Sequence, residues 1–304
     1  MKGNFRSVAV PVKGLLQSKA KELNTSFSDI LRSFVIERFL YRLSISKYSD
    51  KFILKGALMF KVWQIPKRRA TSGIDFLALC DKQIYSIENI VKYLCTMNIS
   101  QDGLLFVRGS VKGSVINAGK ENEGIRINLT VSLEKATVLL QVDFWFGDVL
   151  HPTAKVLDYP GVLDFARPHL YGYSVESSIS EKFETLVKAA AGNSRMKEFY
   201  DLRLLMKQYY FDGANLAAAL QKTFAQRKTE LPEGKQLFAK EIYTEGSDSQ
   251  KLWSLFLMKE RISGAPKNLA AVAKELDNFL SPPVTSLNKT KEFKKKWNTS
   301  GSWE

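Results

Sequence analysis

The chain has 304 residues, carries 45 Lys and Arg against 31 Asp and Glu for a net charge of +14, and is 45% hydrophobic. That length and apolar fraction supply a buried core and exclude a disordered chain. Two cysteines (Cys80 and Cys95) and two histidines (His151 and His169) exclude a disulfide framework and leave little room for a His-rich metal centre or a Ser-His-Asp triad.

The surplus charge is concentrated early. Residues 1–70 hold nine Lys and six Arg against four acids, a surplus of eleven, which points to an anionic partner such as nucleotide or RNA. This region reads as helical. Phe27, Ile30, Leu31, Phe34, Val35 and Phe39 recur at helical spacing, with Arg32, Arg38 and Arg42 among them and Ser26 or Ser28 as the cap. A basic helical face is either a solvated face or an RNA-facing one. The N-terminal apolar stretch is interrupted by Pro11 and Lys13, and no apolar run reaches the ~18 residues of a membrane span, so the chain is expected to be soluble and cytoplasmic.

Residues 74–79 read as a short strand and 83–97 as a helix. Strands rich in Val, Ile, Leu and Phe follow at 104–107, 113–117, 124–131 and 137–146, with a turn at Lys120–Gly124 that implies antiparallel pairing. From about residue 174 the helical period returns, over 175–191, 194–210, 213–227, 249–259 and 266–279, with Gly192 and Gly213 as breaks. Ser281-Pro282-Pro283 ends the folded part, and a Lys-rich tail around Phe293 and Trp297 follows.

Three stretches carry chemistry. Lys55-Gly56-Ala57 stands between an apolar stretch and a helical one, where small residues let backbone N–H groups approach a phosphate. Gly73 and Asp75 share one face of the next strand, so Asp75 could point towards that small pair. Asp143 lies inside a second hydrophobic strand. A carboxylate there is costly unless it is paired, as with a lysine, or bound to a metal. Two such carboxylates near a Gly-Ala turn suggest a divalent-metal, nucleotide-handling site.

From residue 6 to residue 283 the chain resembles the AbiEii/AbiGii-type nucleotidyltransferase toxins of the polymerase-β-like superfamily. The resemblance is carried by Glu37–Ser44, Phe52–Ala57, Arg69–Asp75, Gln141-Val142-Asp143, Phe146-Gly147-Asp148, Ser180-Glu181-Lys182 and Gly192–Asp201. It implies that Lys55, Gly56 and Ala57 cradle a triphosphate. Asp75 would be the second aspartate of a metal-binding Asp-x-Asp and Asp143 the third carboxylate. Lys182 would join these two in catalysis, and Arg195 and Lys197, with Asp201 near them, would hold nucleotide phosphate. The pair Lys197–Asp201 also has the spacing of an ordinary helix salt bridge. By resemblance the cofactor is a pair of Mg²⁺ ions, the substrate an NTP, the acceptor an RNA such as a tRNA 3′ end or a protein hydroxyl, and the further partner a cognate antitoxin. A non-catalytic nucleotide- or RNA-binding relative is the alternative.

One departure stands out. Gly73 occupies the position of the first metal-binding aspartate, preceded by Ser72 where Arg is usual. The chain is then a natural inactive relative, a toxin carrying an inactivating change, or an enzyme in which Asp148 or Glu123 replaces the missing carboxylate. The expected fold is α/β, with basic N-terminal helices, a small mixed sheet and a C-terminal helical bundle. The expected division is 1–165 for the transferase domain, 166–284 for the helical domain and 285–304 for the flexible basic tail. The site is expected in a cleft between sheet and bundle.

Overall fold

The computed structural model describes residues 3–66, 71, 73–99, 102–118, 123–189, 195–233, 238 and 243–304, with side chains from residue 8 onward. Arg69, Ala70, Ser72, the Lys120–Asn122 part of the expected turn, and the Gly192-Asn193-Ser194 motif lie outside the described residues.

Helices α1 (Gly3–Glu22) and α2 (Phe27–Ser44) open the chain. Ser26 caps α2, its hydroxyl oxygen accepting the N–H of Asp29 at 3.1 Å. Strand β1 (Phe52–Lys55) runs through a 3₁₀ turn at Gly56–Leu58 into the short helix α3 (Met59–Val62). There follow β2 (Gly73–Ala78), α4 (Ile84–Thr96), β3 (Leu105–Phe106), β4 (Lys112–Ile116), β5 (Gly124–Leu133), β6 (Ala136–Phe146), β7 (Lys155–Asp158) and β8 (His169–Gly172).

Strands β1 to β8 form one mixed sheet in the order β3-β5-β6-β2-β1-β8-β7, with β4 also on β5. Strands β4 and β5, on either side of the expected turn, are antiparallel as that turn predicts; β5 and β6 are antiparallel too, whereas β6 and β2 are parallel. Phe52, Phe76 and Phe144 stack across β1, β2 and β6 with centroids 5.1–5.8 Å apart, which gives the three site-bearing strands a shared aromatic floor. Strands β7 and β8 escape the sequence pattern because four residues are too few to display a period.

The basic face of α2 is not a solvated or RNA-facing surface at its two central arginines. Arg38 and Arg42 are buried, and Arg42 makes a two-pronged pair with buried Asp102 at 2.6 and 3.2 Å. Arg38 donates to the carbonyl of Ala166 at 2.8 Å, and the two guanidiniums lie 4.1 and 4.2 Å from the rings of Tyr41 and Phe106. The carboxylate that permits this burial stands sixty residues further along the chain, beyond the reach of any local pattern.

A second compact unit comprises α5 (Val175–Ala189), α6 (Met196–Gln208), β9 (Phe211–Asp212), α7 (Gly213–Gln226), α8 (Asp248–Lys259), α9 (Leu269–Asn288) and β10 (Lys296–Trp297). Residues 63–70 and 148–154 belong to it, and the first unit takes 1–62, 71–147 and 155–172. The C-terminal segment differs from the expected free tail. Helix α9 continues through Pro282 and Pro283, and β10 pairs with β9. Trp297 is buried and donates to the carbonyl of Met206 at 2.8 Å, while Trp303 stacks on Phe279. Gly213 serves this docking: a Cβ there would stand 2.4 Å from the carbonyl oxygen of Lys295. The aromatic residues, more than the lysines around them, decide the fate of the segment.

Candidate functional site

The sheet aligns four charged residues in one cross-strand row. Lys55 on β1 is the register partner of Asp75 on β2, Asp75 that of Asp143 on β6, and Asp143 that of Arg126 on β5. Direct partners project to one face, so the row reads plus, minus, minus, plus. Two like charges on adjacent strands repel, and the flanking cations offset that repulsion. Two residues along, Gly73 faces Gln141 on the same side of the sheet.

Gly56 closes this row from the side. Its φ of +71° lies in the left-handed region, and a Cβ on it would stand 2.6 Å from Oδ2 of Asp75. The glycine thus lets the 3₁₀ turn, with Lys55 before it and Ala57 within it, sit directly against the aspartate. The helix that follows has only four residues, so a helix dipole contributes little there. Trp145 Nε1 donates to the other Asp75 oxygen at 3.2 Å.

Asp143 is held far more tightly. Arg126 donates to both its oxygens, Nε at 2.8 Å and Nη2 at 2.7 Å, and Gln141 Nε2 adds a third contact at 3.2 Å. The Asp143 side chain is 8% exposed and that of Arg126 36%. The hydrogen bonds to Asp143 raise the guanidinium's affinity for its proton, with the charge of Asp75 adding to the effect against some loss from burial. The plainer reading of a mid-strand carboxylate, an ion pair, is realised here with an arginine in place of the expected lysine. Arg126 was legible in principle, because it and Asp143 stand equally far from the Leu133–Ala136 pair that closes the hairpin.

The helical unit holds its own charges. Lys182 on α5 is 13% exposed and donates to Glu198 at 2.9 Å and Asp201 at 2.7 Å, both on α6. Asp201 therefore reaches across to the neighbouring helix, and Lys197 lies 3.7 Å from Glu198 instead. Arg195 and Lys197 are exposed. Further along, Arg227 meets Asp148 at 2.9 Å, Glu184 at 2.9 Å and Glu181 at 3.3 Å, and Tyr173 donates to Glu181 at 2.8 Å. Burial disfavours the charge of Arg227, but Glu181 and Asp148, with Glu184, outweigh it and drive its pKa up. Neither Asp148 nor Glu123 stands idle as a substitute for the carboxylate that the resemblance expects at 73. Asp148 is bound by Arg227, and Glu123 pairs with Lys82 at 2.7 Å.

The order of these motifs finds a match at the family level. The model of the AbiEii nucleotidyl transferase toxins of type IV toxin–antitoxin systems aligns with residues 38–281, most of the chain. The chain belongs to the AbiEii family. It is accordingly a nucleotidyltransferase of the toxin class, with an NTP as substrate and an antitoxin as counterpart. In fold it is similar to MenT4, a nucleotidyltransferase toxin of Mycobacterium tuberculosis, with a TM-score of 0.51 at 13% identity over 92% of this chain and 99% of that one. JHP933 of Helicobacter pylori gives a TM-score of 0.43 at 14% identity, over 87% and 98% of the two chains. No curated protein matches the sequence significantly. No helix among the described residues is long and apolar enough to cross a membrane.

The two Mg²⁺ ions that the family resemblance implies need three converging carboxylates. Gly73 stands where the resemblance puts the shared aspartate, and both oxygens of Asp143 are taken by Arg126. Among the described residues, no three His, Cys, Asp or Glu side chains gather closely enough to hold a metal ion. The donor set as arranged does not fit a two-ion centre.

Proposed function

We propose that this AbiEii protein transfers a nucleotide from an NTP to an RNA acceptor, with a tRNA 3′ end as the foremost candidate. The observation that carries the proposal is the pairing of Asp75 and Asp143 in register on adjacent strands, with the Gly56 turn packed against Asp75. The backbone N–H groups of Gly56 and Ala57, with Lys55, bind the triphosphate, and Asp75 orients the acceptor hydroxyl and takes up its proton. The hydroxyl oxygen attacks the α-phosphorus, and the bond from that phosphorus to the departing pyrophosphate breaks. Lys182, Arg195 and Lys197 are the cations that the family resemblance ties to nucleotide phosphate, and Glu198 and Asp201 hold the Lys182 ammonium in place. The net positive charge favours RNA over a protein hydroxyl as acceptor.

A second reading, nucleotide or RNA binding without turnover, is favoured by Gly73 and by the Arg126 clamp on Asp143. A Cβ on Gly73 would meet only ordinary contacts, at 3.5 Å to the Gln141 carbonyl and 3.6 Å to its amide, so an aspartate fits there. The test incubates each labelled NTP with total RNA and with total protein, using the natural chain and Gly73→Asp. Label entering RNA supports transfer to RNA, and label entering protein moves the acceptor. Binding of NTP without incorporation by either form selects the second reading.

A further inference from the structure

The charge row closes on itself without an added ion. Lys55 and Arg126 flank Asp75 and Asp143 across four strands, two positive charges against two negative. The Arg126–Asp143 contact is a two-pronged fork on a largely buried carboxylate, the strongest form of such a pair. Gln141, which faces the vacant side chain position at Gly73, turns its amide onto the same carboxylate. Every local choice around Asp143 therefore serves to hold it against a guanidinium. A metal ion claiming Asp143 would have to break two charge-assisted hydrogen bonds and leave Arg126 facing a divalent cation.

We infer that Arg126 is a fixed cation of this site, replacing the metal ion that would otherwise be shared between Asp75 and Asp143. Arg126 spends Nε and Nη2 on Asp143. Its side chain keeps enough exposure to bring Nη1 to a phosphate oxygen of the bound nucleotide. Gly73 belongs to the same arrangement: an aspartate there would add a third negative charge to a row already neutral. Arg126 is thus a binding and positioning residue that the family motifs do not include. The inference rests on the sheet face being the nucleotide site.

Two measurements on the full chain test it, neither of which depends on transfer. Mn²⁺ is titrated without nucleotide and the unbound ion counted by electron paramagnetic resonance. The natural chain is expected to bind weakly and Asp143→Asn to bind no more weakly. Gly73→Asp combined with Arg126→Gln is expected to bind about tenfold more tightly than the natural chain. A natural chain that holds one Mn²⁺ and loses about tenfold in affinity with Asp143→Asn overturns the inference, because Arg126 would then yield Asp143 to the ion.

The second measurement needs no variant and is unaffected if Arg126→Gln fails to fold. Calorimetric binding of ATP, GTP, CTP and UTP to the natural chain is compared in Mg²⁺ and in excess EDTA. Equal affinity in the two buffers for the preferred nucleotide supports the fixed cation. A loss of about tenfold in EDTA overturns it. Failure of all four nucleotides to bind in either buffer counts against the proposed function, and the Mn²⁺ titration still decides the inference.

Discussion

The sheet and the helical unit both bury charge, but they do so to different ends. On the sheet, opposite charges sit in one row on a face where Arg126 remains about a third exposed. In the helical unit, Arg227 is 10% exposed and is surrounded by Asp148 and by Glu181 and Glu184 of α5. The first arrangement keeps a cation within reach of an anionic ligand. The second uses a cation to tie segments together. Lys182 stands between these cases, nearly as covered as Arg227 yet placed on the motif that the family resemblance ties to catalysis.

The largest effect is expected where the tie is most enclosed. Arg227→Met leaves three carboxylates facing one another in a buried setting and should cost about 3–5 kcal/mol in denaturant unfolding. A loss below about 1 kcal/mol would show that these groups are solvated and would remove the distinction drawn between the two regions. Trp297→Ala should cost a comparable 3–5 kcal/mol or so, because it empties a pocket beside Phe279 and removes the hydrogen bond to Met206. If the stability is unchanged, the C-terminal strand is dispensable to the helical unit.

Lys182→Met sharpens the intermediate case. Alone it should destabilise by about 2–4 kcal/mol, since Glu198 and Asp201 lose their shared partner. Adding Glu198→Gln and Asp201→Asn should restore most of that stability. Transfer that is absent in the stable triple variant but present in the Glu198→Gln, Asp201→Asn pair assigns Lys182 to function, and transfer equal in the two assigns it to structure.

Arg126→Met, on the more open sheet face, should cost only about 1–2 kcal/mol of stability, with its main consequence in nucleotide binding. An unfolding cost as large as that of Arg227→Met would make it another structural tie. The smallest effect concerns Glu88, which accepts from Lys92 at 2.8 Å and from the N–H of Gly113 at 2.7 Å, clipping α4 to β4. These hydrogen bonds, Lys92 first, lower its pKa. The stability it contributes is therefore present above pH 4.5 and lost as pH falls through the lower folded value. Glu88→Gln should flatten the acid limb of a Tm-versus-pH curve by less than about 0.5 kcal/mol. A Tm profile identical to that of the natural chain would show that the clip is broken in solution.

Much of this was readable along the chain. Ser26, the 83–97 period and the apolar runs at 113–117 and 124–131 announce a capped helix, an amphipathic helix and an antiparallel pair of strands, because each signal is local. The family motifs also single out Asp75, Asp143 and Lys182, because chemistry restricts which residue types can stand there. What lay beyond reach were pairings set by distance along the chain. Arg38 and Arg42 look like a wet basic face until Asp102 is brought to them, and the lysine-rich end looks free until Trp297 finds its pocket.

By itself, then, the sequence determined the class of fold, most of its longer elements and the family. Only the tertiary structure decided which charges neutralise which. That decision depends on register and burial, since a buried charge takes whatever opposite charge the fold places beside it. Arg126 on Asp143, Lys182 between Glu198 and Asp201, and Arg227 among its three acids are all settled in that way.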